Sequence, residues 1–281
     1  MIYYLCTEKH RYTISYWLSK YGRGQRGDIK VLPYRRLLEI EVPATVIFTD
    51  FDRLVEGFRI RASRQCDALQ QAGCRVLNHP GKSLLRYDLQ QALDNDFCVY
   101  RQQDRDACRF PVFVRIENGH QGSETGLLHD QAELAERLLL YPDGLIVEYL
   151  DSSDVDGVFR KYSAFCIGGK IVPRHVLFST DWEVKTPDLV NQKTLKEEMA
   201  YIKNNPHQEE VGEVFHLADI QYGRIDYSFY QGKMQVWEIN TNPMLIVPDQ
   251  CKHEMRTEIH EISADRINQA FLALDQPIAE N

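Results

Sequence analysis

The sequence YGRIDYSFYQGKMQVWEINTNP occupies residues 222–243 and contains two runs with the composition of β-strands. Residues 224–230 and 234–240 are both rich in β-branched and aromatic side chains, which suit a half-buried pleated surface. The three residues between the runs, Gln231-Gly232-Lys233, include the glycine that short hairpin connections commonly use. The stretch therefore predicts an antiparallel β-hairpin.

The length of this connection determines which residues of the two strands face one another. We expect these opposed pairs: Tyr230 with Met234, Ser228 with Val236, Asp226 with Glu238, and Arg224 with Asn240. Since successive side chains point to opposite sides of a strand, these pairs share one face of the hairpin. The other face is predicted to pack on the core, and it carries Ile225, Tyr227, Phe229, Gln235, Trp237 and Ile239.

The expected pairing places two carboxylates, Asp226 and Glu238, opposite one another at about 5 Å between Cβ atoms, where they repel. A hard divalent cation removes this repulsion. With the Asn240 carbonyl, the two carboxylates form an all-oxygen ligand set that favours Mg²⁺ or Mn²⁺. Arg224 beside them suits a phosphoryl group. The pattern indicates a Mg²⁺–nucleotide site, and the alternative is a solvated sheet face on which Arg224 neutralises Asp226.

Composition limits the classes of protein that fit. The 281 residues are 43% hydrophobic and 26% charged, as expected for a soluble chain of one to three domains. A net charge of -8 argues against general nucleic-acid binding. No apolar run approaches the ~18 residues of a membrane span, and the N-terminus does not resemble a secretory signal. Seven dispersed cysteines suit a reducing compartment, so we expect a cytoplasmic protein.

Strands alternate with helices over the first eighty residues, which predicts a parallel α/β layer. Within this region Gly22, Gly24 and Gly27 have the GxGxxG spacing of a dinucleotide-binding loop. That loop must follow a strand and begin a helix, whereas this one follows a predicted helix and leads into a strand. We therefore interpret it as a connecting loop. Farther along, we expect strands at 110–115 and 145–149, a hairpin over 160–176, and helices at 130–140, 188–204 and 251–274.

The residues Gly223-Arg224-Ile225-Asp226-Tyr227, followed by Trp237-Glu238-Ile239-Asn240-Thr241-Asn242-Pro243, resemble the paired motifs of the ATP-grasp superfamily. This superfamily includes D-alanine–D-alanine ligase, glutathione synthetase and glutamate ligases. The resemblance covers roughly residues 80–250. It implies that Asp226, Glu238 and Asn240 hold Mg²⁺ and that Arg224 is catalytic, since it would meet the transferred phosphate.

The resemblance also implies contacts with ATP elsewhere in the chain. Glu148, Tyr149 and Leu150 end a strand similar to the interlobe strand that binds adenine. Arg115 stands where the family usually has a lysine, and Lys82 or Arg86 would replace its other lysine. The remaining expected phosphate contacts are His120, Ser123, Arg160, Lys161, Arg174 and Lys185.

The fold implied by the resemblance is an α/β ATP-grasp fold whose two lobes clasp a nucleotide, preceded by a small parallel domain. We expect domains at 1–79, 80–148 and 149–281, the last containing the metal-binding hairpin 223–243 and a C-terminal helix. The implied activity is that of an ADP-forming ligase, which joins a carboxylate to an amine or thiol through an acyl phosphate.

Two alternatives remain open for function. One is a nucleotide-binding sensor or assembly protein without ligase chemistry, and the other is a Mg²⁺-dependent phosphotransferase or carbohydrate enzyme on another fold. We expect the partners to be ATP and a carboxylate or amine substrate, without nucleic acid or membrane. Candidate acceptor segments are 49–52 and 178–185, and homo-oligomer formation is left open.

Overall fold

The computed structural model describes residues 1–22, 28–119, 122–246 and 254–274, which form three β-sheets in succession along the chain. The first sheet has the strand order β2-β1-β3-β4, the second β5-β7-β6, and the third β11-β10-β8-β9. No helix in these ranges is long and apolar enough to cross a membrane. His120 and two glycines of the GxGxxG sequence, Gly24 and Gly27, lie outside the described residues.

The first sheet is parallel, as predicted. Its strands and helices are β1 (Ile2–Cys6), α1 (Tyr12–Lys20), β2 (Ile29–Pro33), β3 (Thr45–Phe48), α2 (Glu56–Gln71) and β4 (Arg75–Leu77). Every residue of β1 is buried, because Tyr4 lies in the cluster that contains Trp17 of α1, and Tyr3 lies in the cluster that contains Cys66 of α2. A sheet covered on both faces explains the uninterrupted apolar run at the N-terminus.

The second sheet is small and antiparallel. Its strands are β5 (Val99–Tyr100), β6 (Val112–Ile116) and β7 (Gly144–Glu148), accompanied by α3 (Arg86–Ala92) and α4 (Gln131–Leu140). Asp130 caps the N-terminus of α4, because its carboxylate accepts hydrogen bonds from the amides of Ala132 and Glu133, both at 2.9 Å. Leu134 and Leu138 of α4 are buried in the same cluster as the sheet's apolar residues.

The third sheet is antiparallel and carries the hairpin of residues 222–243. Its elements are β8 (Phe159–Ile167), β9 (Lys170–Ser179), α5 (Gln192–Asn204), α6 (Gln208–Leu217), β10 (Tyr222–Tyr230), β11 (Lys233–Asn240) and α7 (Glu254–Leu274). The predicted hairpin over 160–176 is confirmed as β8 and β9. Helix α6 was not predicted, and its Val211 and Phe215 pack against the core face of β10.

Asn78 joins the first sheet to the third. It is buried and has a φ of 61°, a left-handed conformation that asparagine tolerates better than most residues. Its Nδ2 donates to the carbonyls of Phe48 at 2.9 Å and Tyr222 at 2.8 Å. Its Oδ1 accepts the amides of Gln221 at 2.8 Å and Tyr222 at 2.9 Å. The predicted domain limit, between residues 79 and 80, lies one residue beyond Asn78, and the limits themselves stay a prediction.

The two outer pairs of the predicted hairpin register are confirmed, because Arg224 faces Asn240 and Asp226 faces Glu238. The two inner pairs are wrong. Gln231 and Gly232 alone form the turn, with φ values of 50° and 82°, so that Tyr230 pairs with Lys233 instead of Met234. Positive φ at both central residues is the geometry of the two-residue turn that matches strand twist. Ser228 therefore faces Gln235 instead of Val236.

A β-bulge at Trp237 restores the register beyond the turn. Tyr227 pairs with Val236 and Asp226 with Glu238, so that Trp237 is the extra residue. Val236, predicted on the site face, is buried in the core cluster with Ile225. Trp237, predicted on the core face, instead stacks on Phe97 of the small sheet's cluster with ring centroids 5.0 Å apart.

Candidate nucleotide and metal site

A cavity of about 140 Å³ lies between the second and third sheets. It is bounded by β6, β7, β8, the loop after β9 and the hairpin. The predicted site residues that line it are Arg115, Ser123, Glu148, Tyr149, Leu150, Arg160, Lys161, Lys185, Asp226 and Glu238. Residues from six separate parts of the sequence, including the loop after β6, therefore converge on one cavity.

Asp226 lies on β10 with only 4% of its surface exposed. Arg224 donates to it from Nε to Oδ1 at 2.9 Å and from Nη2 to Oδ2 at 3.2 Å. Ser163, its partner on β8, donates from Oγ to Oδ1 at 2.6 Å. Burial alone would lower the pKa of Arg224, but the ion pair with Asp226 raises it overall. Arg224 therefore keeps its charge inside the protein.

Glu238 is held by two arginines from the small sheet and its helix. Arg115 of β6 donates from Nη2 to Oε2 at 2.8 Å, and Arg86 of α3 also donates to Oε2. Arg86 Nη1 additionally binds the carbonyls of Ile116, Glu117 and Gly119 at 2.9, 2.7 and 2.8 Å. Burial lowers the pKa of Arg86, and the charge of Glu238 opposes this effect. Arg86 thus ties the end of β6 to the hairpin.

The donor set on the hairpin fits a hard divalent cation. Asp226 and Glu238 are cross-strand partners, and Asn240 follows two residues later on the same strand as Glu238. Within the described ranges no group of three or more His, Cys, Asp or Glu residues forms a metal cluster. Two carboxylates and an amide oxygen suit Mg²⁺, which leaves several positions to water and phosphate.

The alternative of a solvated face fits less well. Its predicted contact between Arg224 and Asp226 is present, but Asp226 is buried and the side chain of Glu238 is only 14% exposed. The facing carboxylates of Asp226 and Glu238 therefore lie in a low-dielectric environment, and each is ion-paired with arginine.

Glu148 supports the strand that lies at the back of the cavity. Its carboxylate accepts hydrogen bonds from Arg109 Nη2 at 2.7 Å and Tyr100 Oη at 3.0 Å, and from the amides of Cys98 and Arg109. Burial would raise the pKa of Glu148, but the hydrogen bonds from Arg109 and the others lower it overall. Its side chain is thus committed to the protein, and its amide donates to the carbonyl of Cys98 at 3.0 Å.

Aromatic rings form the wall near this strand. Trp182 packs on Phe113 with ring centroids 5.0 Å apart and on Tyr149 at 5.8 Å. Trp237 also lines the cavity. Trp237 was not among the predicted site residues, and Trp182 was predicted only as part of the acceptor segment 178–185. Trp237 could have been found only by anticipating the bulge, and Trp182 lies in a loop that has no periodic pattern.

The loop after β6 meets the loop after β9 at Glu183. Ser123 donates to Glu183 Oε1 from its amide at 2.7 Å and from its hydroxyl at 2.6 Å. Lys185 Nζ lies 3.1 Å from the same oxygen. Gly122 has a φ of 99°, and a Cβ there would lie 2.5 Å from Glu183 Oε1. Two predicted phosphate contacts, Ser123 and Lys185, are therefore joined by one carboxylate.

The structure does not bring the other predicted cations into this cavity as free charges. Arg160 pairs with Asp154 and Glu197. Arg174 is buried outside the cavity lining. Burial lowers the pKa of Arg174 to about 10, against the opposing charge of Glu198. Lys82 is exposed and pairs with Asp67.

A second cavity, of about 610 Å³, lies beside the first. Phe51 and Asp52, in the predicted acceptor segment 49–52, line it together with Glu117 and Thr241. Arg86 also lines it, and its ion pair with Glu238 separates the two cavities. The other predicted acceptor segment, 178–185, instead lines the smaller cavity through residues 182–185.

The sequence matches no family model and no curated protein sequence. Solved structures do match. The ATP-grasp ligase PsnB, complexed with a minimal precursor, is 14% identical with a TM-score of 0.59, over 97% of this chain and 99% of that chain. The D-cycloserine synthetase DcsG is 17% identical with a TM-score of 0.54, over 98% and 100%. D-Alanine–D-alanine ligase from Bacillus anthracis is 13% identical with a TM-score of 0.51, over 95% and 98%.

Because these identities are low, the similarity shows the fold alone. The chain has the ATP-grasp fold, as its motifs predicted.

Proposed function

We propose that the protein is an ATP-dependent, ADP-forming ligase that joins a carboxylate to an amine or thiol. The observation that supports this most strongly is the pairing of Asp226 with Glu238 inside a cavity between two sheets, with Arg224 and Arg115 on the two carboxylates. Buried, facing carboxylates are costly unless cationic groups neutralise them, and the arginines that do so here can also bind phosphate.

In this proposal adenine lies against the aromatic wall of Phe113, Trp182 and Trp237. The peptide groups of Tyr149 and Leu150 lie beside it at the end of β7. The amide of Tyr149 already donates to the carbonyl of Pro111 at 2.9 Å, so that Leu150 supplies the donor to the base. The phosphates extend toward Ser123, Lys161, Lys185 and Arg115, with His120 as a further expected contact.

Asp226, Glu238 and Asn240 would hold Mg²⁺, or Mn²⁺ in its place. When bound, the ion neutralises charge on the β- and γ-phosphates. Arg224 and Arg115 are already ion-paired with the two carboxylates, and their guanidinium groups also suit phosphoryl oxygens. Binding of nucleotide and ion would therefore redistribute these pairs, with arginine moving from carboxylate toward phosphate.

The reaction has two steps. An oxygen of the substrate carboxylate attacks the γ-phosphorus, and ADP leaves as the acyl phosphate forms. The amine then attacks the acyl carbon, inorganic phosphate leaves, and the amine loses a proton. Arg224 stabilises the charge on the transferred group, and the chain contributes mainly positioning and charge stabilisation. The larger cavity, across the Arg86–Glu238 pair, would hold the acceptor.

ADP release in the presence of Mg²⁺, ATP and pairs of L- and D-amino acids tests this proposal. At least one pair should raise ADP release above the rate with ATP alone. An Arg224→Ala variant should lose the increase, while Arg35→Ala, a change at an exposed residue of the first layer, should keep it. Nucleotide binding without stimulation by any pair would favour the non-catalytic alternative, and full turnover by Arg224→Ala would refute the catalytic assignment.

A further inference from the structure

Three donors of the nucleotide cavity converge on one carboxylate oxygen. Glu183 Oε1 accepts the amide and the hydroxyl of Ser123 at 2.7 and 2.6 Å, and Lys185 Nζ lies at 3.1 Å. A backbone N–H, a hydroxyl and an ammonium are the groups that proteins present to phosphate oxygens. A protein anion therefore occupies the donors that the proposed function assigns to the nucleotide.

Neighbouring contacts fix the position of Glu183. Its amide donates to Asp181 Oδ1 at 3.1 Å, and its carbonyl accepts the amide of Lys185 at 2.7 Å. Trp182 anchors the loop on Phe113 and Tyr149. On the opposite side, Gly122 permits the approach, because a side chain there would collide with Glu183 and Lys185. The conformations of both loops thus allow Glu183 to contact Ser123 and Lys185.

We propose that Glu183 is an internal competitor for the nucleotide phosphates, which displace its carboxylate from Ser123 and Lys185 when ATP binds. The proposal rests on the proposed nucleotide site. The contact joins the loop after β6 to the loop after β9, so a phosphate that replaces Glu183 also changes the link between the two loops. Triphosphate binding and rearrangement of the two loops are then one event. Adenosine, which has no phosphate, leaves the contact intact.

Titration calorimetry with AMPPNP and with adenosine, each in the presence of Mg²⁺, tests the proposal. Glu183→Gln keeps the size of the side chain and removes its charge. We expect AMPPNP to bind this variant about tenfold more tightly than the parent, equivalent to about 1.4 kcal/mol, with adenosine affinity unchanged. Glu183→Ala should act in the same direction. Glu124→Gln removes a charge from an exposed neighbour of Ser123 and should change AMPPNP affinity less than about twofold.

The outcomes separate the two proposals. Binding of AMPPNP to the Glu183 variants but not to the parent supports the competitor. Equal or weaker AMPPNP binding by both Glu183 variants, with normal adenosine binding, overturns the competitor and leaves the nucleotide site standing. An equal gain in AMPPNP affinity for Glu124→Gln also overturns the competitor, because the gain would then come from removing any negative charge near the site. Failure of every form to bind AMPPNP and adenosine removes the nucleotide site and the competitor together.

Discussion

Replacing Arg86 with alanine should destabilise the protein strongly. The side chain of Arg86 is 6% exposed, and its guanidinium group binds Glu238 and the three carbonyls of Ile116, Glu117 and Gly119. Removing one partner of a buried ion pair typically costs about 3–5 kcal/mol, because the remaining charge is left in the interior. Arg115 still contacts Glu238, and we therefore expect a loss of about 3 kcal/mol.

Urea unfolding at pH 7 measures this loss as a change in the free energy of unfolding. Arg101→Ala is the matched control, since Arg101 lines the same larger cavity but is 41% exposed and lies 3.4 Å from Glu117. That change should cost about 1 kcal/mol or less. A loss below about 1 kcal/mol for Arg86→Ala, or equal losses for both variants, would refute the assignment of Arg86 as the tie between β6 and the hairpin.

Three further variants test other parts of the structure. Glu148→Gln should lower Tm most at neutral pH, because hydrogen bonds hold the pKa of Glu148 below its unfolded value of 4.5. The stability that the carboxylate contributes is therefore present above pH 4.5 and is lost as the pH falls through the folded pKa. Measured from pH 7 down to pH 3, the difference in Tm between the parent and the variant should shrink. Trp237→Ala should weaken adenosine binding in calorimetry, whereas an unchanged Kd would place the base elsewhere. Asn78→Ala should cost about 3 kcal/mol in urea unfolding, because it removes four hydrogen bonds to backbone groups, three of them buried, and a cost under about 1 kcal/mol would contradict that role.

The pairing of Asp226 with Glu238 was predicted from the sequence and is confirmed. The prediction succeeded through two compensating errors: the turn is one residue shorter than expected, and Trp237 adds one residue as a bulge. Val236 and Trp237 are both apolar, so alternation of polar and apolar residues cannot show which one is extra. The face assigned to these two residues was wrong for that reason.

Long-range contacts account for most of what the sequence could not show. Arg86 and Arg115 bind Glu238 but are 152 and 123 residues away from it in the sequence, so no local sequence pattern predicts these contacts. Glu183 lies in a loop without periodicity, and β5 has only two residues, too few for an alternating pattern. The parallel first layer was predictable because strands and helices alternate clearly along it.

Metal-dependent nucleotide binding tests the proposed site most directly. Calorimetry with AMPPNP should show binding by the parent protein that weakens at least about tenfold when Mg²⁺ is removed with a chelator. Asp226→Asn should lose this dependence on Mg²⁺ while it still binds adenosine, because the contacts proposed for adenine, the aromatic wall and the amide of Leu150, do not include Asp226. If Asp226→Asn binds AMPPNP with the same affinity and the same dependence on Mg²⁺ as the parent, the hairpin does not hold the ion.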